Sequence, residues 1–157
     1  MHPILHAQEN LDLLSDYEAT LCFSVDATLL NRHFKSKKFH KIIFNFPHLG
    51  HGIKDQDRNI RAHQLFLHSF LKSAKDQLNL DGCIYVTLKT GLPYDEWNIK
   101  KQAQMVGLAT LNSFAFNPPD YEGYEHRRTI EFQERVSTTD VQKSKCKHIA
   151  FAFIKKA

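Results

Sequence analysis

A chain of 157 residues, 42% of them hydrophobic and 24% charged, has the length of one domain and enough apolar surface for a core. Its net charge of +4, with ten histidines, permits an anionic partner such as RNA without demanding one. No apolar run approaches the ~18 residues of a membrane span, Met1-His2-Pro3-Ile4 does not open a signal peptide, and Cys22, Cys83 and Cys146 form no C-x-x-C pair, so the expectation is an unsecreted protein with reduced thiols and no zinc ribbon.

No repeat, low-complexity tract or linker divides the chain, so residues 1–157 read as a single domain. Leu11, Leu13 and Leu14 suggest a helix from about Ala7 to Tyr17. Thr20 to Val25 reads as a strand ending at Asp26, and Phe39 to Phe46 as a second, buried one around Ile42-Ile43-Phe44. Ile60, His63, Phe66, Leu67, Phe70, Leu71, Ala74 and Leu78 fall at helical spacing and form one apolar stripe, broken only by His63. Asp81-Gly82 is the expected stop of that helix. Cys83 to Leu88 is a near-continuous apolar strand, as expected where both faces are covered. A shorter helix follows from about Asp95 to Val106, then strands from Leu108 to Phe116 and from Lys147 to Ile154. Alternating strands and helices predict an α/β fold with a mostly parallel sheet and right-handed crossovers. The last two strands have no helix between them and are expected to pair antiparallel.

In such sheets ligands bind beyond the carboxyl ends of the strands. Three loops leave that edge. The first runs from Asn45-Phe46-Pro47-His48 to Arg61, the second holds Lys89, Tyr94 and Trp97, and the third runs from Phe116 through Tyr121 to Arg127, Arg128 and Thr129. Plainer readings exist for each. Asn, Pro and Gly are ordinary loop residues. A single Trp97 more often packs a helix than stacks a base, and Arg127-Arg128 alone reads as a solvated pair. Arg58 and Arg61 sit near a helix start, where cations oppose the macrodipole, so a phosphate or an acidic neighbour is expected there. The weight lies in convergence on one edge.

An Asn-Phe-Pro-His turn offers an amide and a constrained carbonyl to the polar edge of a flipped base, while His48 could stack on that base or take its proton. Asp26 could accept hydrogen bonds from an adenine amino group or a ribose. Together these fit a nucleoside cofactor beside a planar acceptor, as in an S-adenosylmethionine methyltransferase. A metal site is the competitor. His48 and His51 lie near Asp55 and Asp57, but no Cys joins them, and His63 and His68 are wrongly spaced for one helical face, so no metal is expected.

These residues also resemble a family. Val25-Asp26-Ala27-Thr28, Ile42-Ile43-Phe44-Asn45-Phe46-Pro47-His48 and Lys54-Asp55-Gln56-Asp57-Arg58-Asn59-Ile60-Arg61 look like the 25S rRNA uridine-N3 methyltransferase domain family. So do Val86-Thr87-Leu88-Lys89, Pro93-Tyr94, Trp97-Asn98-Ile99 and the closing Tyr121-x-Gly123-Tyr124-x-His126-Arg127-Arg128-Thr129. The resemblance implies a Rossmann-like methyltransferase that moves a methyl group from S-adenosylmethionine to N3 of a uridine in large-subunit rRNA. It implies a catalytic turn of Asn45, Pro47 and His48, and a cofactor site of Asp26, Ala27 and Asn45. It places Arg58, Arg61, Lys89, Tyr94, Trp97, His126, Arg127 and Arg128 against RNA. It further implies a nucleolar, nuclear or cytoplasmic location.

One departure is expected to matter. The family pattern opens with a strand and a glycine-rich loop, then a second strand ending in an acidic residue, and the sequence enters after them. The expectation is therefore an N-terminally truncated sheet. In the order 3-2-1-4-5-7-6, the two missing strands lie between Thr20–Val25 and Phe39–Phe46, and their loss leaves backbone groups to satisfy. Either the two remaining strands pair directly, or the isolated chain is poorly stable, or the sequence is a truncated product or fragment; the alternative to a methyltransferase is a non-catalytic RNA-binding or interaction module or a truncated inactive remnant of that fold.

Overall fold

The computed structural model describes residues 3–50, 52–122, 124 and 145–154. Among them are helices α1 (Pro3–Asp16), α2 (Leu30–Phe34), α3 (Gln56–Asp76) and α4 (Ile99–Met105). The strands are β1 (Phe39–Asn45), β2 (Leu78–Lys89), β3 (Leu108–Ala115) and β4 (Cys146–Phe153). Short 3-10 turns occupy Ala27–Leu29, Asp95–Trp97 and Pro118–Asp120. No helix among the described residues is long and apolar enough to cross a membrane.

The sheet order is β1-β2-β4-β3. β1 and β2 pair in parallel, and β4 lies between β2 and β3, antiparallel to both. The α/β class and the antiparallel C-terminal pair are as expected. The parallel character is weaker: β1, β2 and β3 run one way, but β4 wedges between two of them and turns two of the three ladders antiparallel. One consequence serves function. The ends of β1, β2 and β3 and the start of β4 meet at a single edge.

α3 organises the core. Asp55 caps it, its Oδ1 accepting from Arg58 N–H at 2.7 Å. Its stripe of Leu67, Phe70, Leu71 and Ala74 is buried against Ile84, Val86 and Leu88 of β2 and Ile149 and Phe151 of β4. Each such large side chain contributes about 1.5–3 kcal/mol by leaving water. α4 adds Ile99 and Ala103 to the same face.

Three sequence expectations are corrected. The helix expected to run to Asp81-Gly82 ends at Asp76, with Gln77 as its cap, and β2 begins at Leu78. Gly82 instead lies where the β1–β2 register shifts; a β-carbon there would meet Leu78 Cδ1 at 2.8 Å and the carbonyl oxygens of Asn79 and His40 at 3.0 Å. Gly82→Ala is therefore expected to destabilise the fold by about 1–3 kcal/mol, read as a lower urea midpoint. The helix expected over Asp95–Val106 is divided at Asn98, which adopts a left-handed conformation (φ 53°). The strand expected over Thr20–Val25 does not form. Ser24 has a φ of 55°, outside any strand geometry, and Phe23 is 69% exposed, so the segment has no ladder although Val25 packs against the core. It does not pair with β1, which is an edge strand of the described sheet.

Candidate active site

The site grows from the end of β1. Phe44 turns to α3, its ring edge-on to Phe66 and Phe70 at 6.0 and 4.7 Å. Side chains alternate along a strand, so Asn45 points to the opposite face, where it is exposed. There it shares a register row with Thr87 of β2, His148 of β4 and Phe114 of β3. Thr87 Oγ1 donates to Asn45 Oδ1 at 2.6 Å and also lies 2.6 Å from His148 Nδ1. His148 Nε2 is 3.1 Å from the Tyr121 hydroxyl. Thr87 and His148 are buried. Burial pushes the His148 pKa down, which favours the neutral ring. Since the only Thr87 hydroxyl proton goes to Asn45, Nδ1 must donate to Oγ1, and Nε2 accepts from Tyr121.

Aromatic rings close over this row. Phe116 stands edge-on to Phe46 at 5.6 Å and to His148 at 5.0 Å, and stacks on Tyr121 at 5.2 Å. Phe46 itself has a φ of 51° and donates its N–H to the Thr87 carbonyl at 2.9 Å. That left-handed step, costly for a bulky side chain, reverses the chain into Pro47 and His48.

Beyond the turn, His48 sits on the α3 side. Its ring is 4.7 Å from His63 and 5.9 Å from Trp97, while His63 and Trp97 stack at 4.0 Å and 5°. His63 ties the turn to the helix: its Nε2 accepts from Leu49 N–H at 3.3 Å and its Nδ1 donates to the Asn59 carbonyl at 2.9 Å. His48 Nδ1 accepts from Gly50 N–H at 3.0 Å. Desolvation, reinforced by the Lys89 charge, lowers the His48 pKa. The neutral ring with Nδ1 taken carries its proton on Nε2. His48 thus offers a donor suited to a developing anion rather than a vacant base.

The remaining sequence candidates divide. Lys89, half-buried, bears electrostatically on His48. Tyr94 packs edge-on to Trp97 at 4.9 Å. The expectation that Trp97 meets RNA is corrected: it is 1% exposed and stacked on His63, so it packs the core. Arg58 and Arg61 are exposed on the first turns of α3, and neither guanidinium is ion-paired among the described residues; the Asp55 cap and Asp57 supply the acidic neighbourhood their position calls for. Asp26 ends no strand. Its Oδ1 accepts from the Thr28 N–H at 2.9 Å and hydroxyl at 2.7 Å, capping the Ala27–Leu29 turn, and these bonds hold its carboxyl below the usual range. Ala27 packs on the core. No hydrogen bond among the described residues joins Asp26 to Asn45. His126, Arg127 and Arg128 lie outside the described residues. Among the described residues no three His, Cys, Asp or Glu side chains converge as metal ligands.

Sequence reasoning did not single out Thr87, His63, Tyr121 or His148 as site residues. Two signals were available. His63 interrupts an apolar stripe, and His148 interrupts an apolar strand; a buried polar group needs a partner, so each marks a network.

Comparison with known proteins gives the family. A family model described as BMT5-like, rRNA (uridine-N3-)-methyltransferase BTM5-like, matches residues 2–128. The 25S rRNA (uridine(2634)-N(3))-methyltransferase of Saccharomyces cerevisiae is 30% identical over 179 residues, covering 81% of this chain and 53% of that protein. The heavy metal-associated isoprenylated plant protein 41 of Arabidopsis thaliana is 35% identical over 125 residues, covering 78% of this chain and 24% of that protein. The chain thus spans about half of the yeast relative and a quarter of the plant one. Among solved structures, a candidate DNA modification methylase of Thermus thermophilus superposes with a TM-score of 0.51 at 12% identity, over 84% of this chain and 53% of that one, a likeness of fold.

Proposed function

The chain belongs to the BMT5-like family of rRNA (uridine-N3-)-methyltransferases, and from that premise we propose that its Asn45–His48 edge receives a uridine of large-subunit rRNA for methylation at N3 from S-adenosylmethionine. The observation that carries this reading is the Asn45 amide, held with its N–H groups outward at the strand end, with His48 a second donor farther along the turn on its α3 side. With Oδ1 bound by Thr87, Asn45 presents its amide N–H groups, and with Nδ1 bound by Gly50, His48 presents Nε2–H. Uridine N3 is an imide nitrogen between two carbonyl oxygens. Its proton would leave to water, the negative charge left behind would spread onto both oxygens, and oriented donors with the Lys89 ammonium would stabilise that charge.

The residues present suit the cofactor in part. The Asp26 cap uses Oδ1 and leaves Oδ2 exposed, an acceptor for ribose hydroxyls or an adenine amino group. Asp26 and Ala27 would hold the adenosine end, and Asn45 the end nearest the base. Bound there, S-adenosylmethionine supplies an electrophilic methyl group; this chain's residues orient the base and shelter the charge. Arg58, Arg61, Lys89 and Tyr94, with His126, Arg127 and Arg128, would meet RNA phosphates and flanking bases. Such a reaction belongs where large-subunit rRNA is made or assembled, the nucleolus or the cytoplasm.

The test is methyl transfer from labelled S-adenosylmethionine to large-subunit rRNA, read as 3-methyluridine after digestion to nucleosides. Asn45→Ala is expected to lower the rate about 10²–10³-fold, the usual loss for one oriented donor. Salt-sensitive RNA binding with no cofactor binding and no methyl transfer would instead support a non-catalytic RNA-binding module.

A further inference from the structure

We infer that Thr87 and His148 are positioning residues that set the base specificity of the site, by fixing which end of the Asn45 amide faces the base. The inference rests on the uridine reading above and names the device that would distinguish uridine from cytidine. It also brings in a residue, His148, that lies beyond the residues 2–128 matched by the family model.

An exposed asparagine is free to rotate its amide by half a turn, exchanging a donor for an acceptor at the same place. Asn45 is exposed, but it is not free. Its Oδ1 accepts from Thr87 Oγ1 at 2.6 Å. Thr87 is buried in the middle of the sheet and has one proton to give. His148 Nδ1, also 2.6 Å from Oγ1, fills the acceptor side of that hydroxyl. Tyr121 at 3.1 Å occupies the far nitrogen of the ring. Every proton in the chain Tyr121, His148, Thr87, Asn45 then points the same way, and what leaves the chain is the Asn45 N–H pair.

The second donor on the turn is His48 Nε2–H, set by the Gly50 N–H on Nδ1. A pyrimidine whose ring nitrogen lies between two carbonyl oxygens offers the Asn45 N–H pair an acceptor on either side of that nitrogen. Cytosine replaces one carbonyl with an amino group, which places donor against donor and leaves a polar group without a partner. Reversing the relay would reverse this preference at Asn45.

The measurement is the ratio of 3-methyluridine to 3-methylcytidine formed on large-subunit rRNA, by mass spectrometry of nucleosides. Thr87→Val keeps the shape and removes the hydroxyl; the ratio is expected to fall about tenfold or more. Thr87→Ser restores the hydroxyl and is expected to restore the ratio, which separates positioning from packing. His148→Asn, which keeps a donor near the place of Nδ1, is expected to stay closer to the unsubstituted chain than His148→Leu. An unchanged ratio in Thr87→Val overturns the inference. A chain that methylates no RNA defeats the uridine reading but not the relay, because nitrogen NMR of the His148 ring reads the relay directly. The expected tautomer has its proton on Nδ1 and is disturbed by Thr87→Val; a proton on Nε2 overturns the inference whatever the activity.

Discussion

Replacing Trp97 by alanine is expected to cost about 3–5 kcal/mol of folding stability, a large share of the about 5–15 kcal/mol that holds a domain folded. The indole is buried against His63, Tyr94 and the α3 face, and the space it leaves cannot be filled by exposed loop residues. Its Nε1 has no hydrogen-bond partner among the described residues, so the loss is one of packing and not of a polar contact. Trp97→Phe, which keeps most of the ring stack, is accordingly expected to cost much less. Urea titrations of the two variants check this: the midpoint of the alanine variant should fall much further than that of the phenylalanine variant while the slope holds. Methyl transfer should fall further than unfolding explains, since His63 holds the Leu49 backbone and, through it, the turn that carries His48.

The second large effect concerns pH. His48 accepts the Gly50 N–H on Nδ1, and this requires the neutral ring. Its pKa is depressed by desolvation first and by the Lys89 charge second. The sign follows. The neutral, turn-forming state is complete above the ordinary histidine value of about 6.5 and persists some way below it. It is lost as pH falls through the lowered value, because protonating Nδ1 expels the Gly50 N–H. The rate of methyl transfer should therefore fall on the acid side, below the ordinary histidine range. His48→Ala should lower the rate about 10²–10⁴-fold and abolish that acid limb. Lys89→Met removes the neighbouring charge, so the limb should move to higher pH. A limb that stays in place in both variants would show that another group controls it.

Much of this could be read before any coordinates. The stripe from Ile60 to Ala74 gave α3, the apolar run from Cys83 to Leu88 gave the middle of β2, and both follow from local periodicity. Asp81-Gly82 is a good helix stop, but the constraint on Gly82 is the approach of the Asn79 carbonyl of its own strand and the His40 carbonyl of β1, the second of which no local pattern encodes. Thr20–Val25 has the composition of a strand, but a strand needs a neighbour, and Ser24 turns the segment away. The site divides the same way. Asn45 and His48 were legible as chemistry at a strand end. Thr87 and His148 were not, because their contact exists only through the β2–β4 ladder, sixty-one residues apart in the chain. His48, read from the sequence as a group that could stack on a base or take its proton, has its Nδ1 occupied by a backbone N–H two residues away, a local bond that the residue type does not reveal.

The wedging of β4 between β2 and β3 has an evolutionary consequence. His148 faces Thr87 only while Ile149 and Phe151 keep their places in the core on the other face. A slip of one residue would set Lys147 or Ile149 opposite Thr87 and send the imidazole to the α3 side. Length changes in the segment before β4 are tolerable so long as those two apolar residues re-seat the strand. An insertion or deletion inside β4 is not, even one that preserves its composition. The candidate edge is in this sense indexed by greasy residues on the other face of the strand, and alignments of relatives should show gaps crowding up to β4 and stopping short of it.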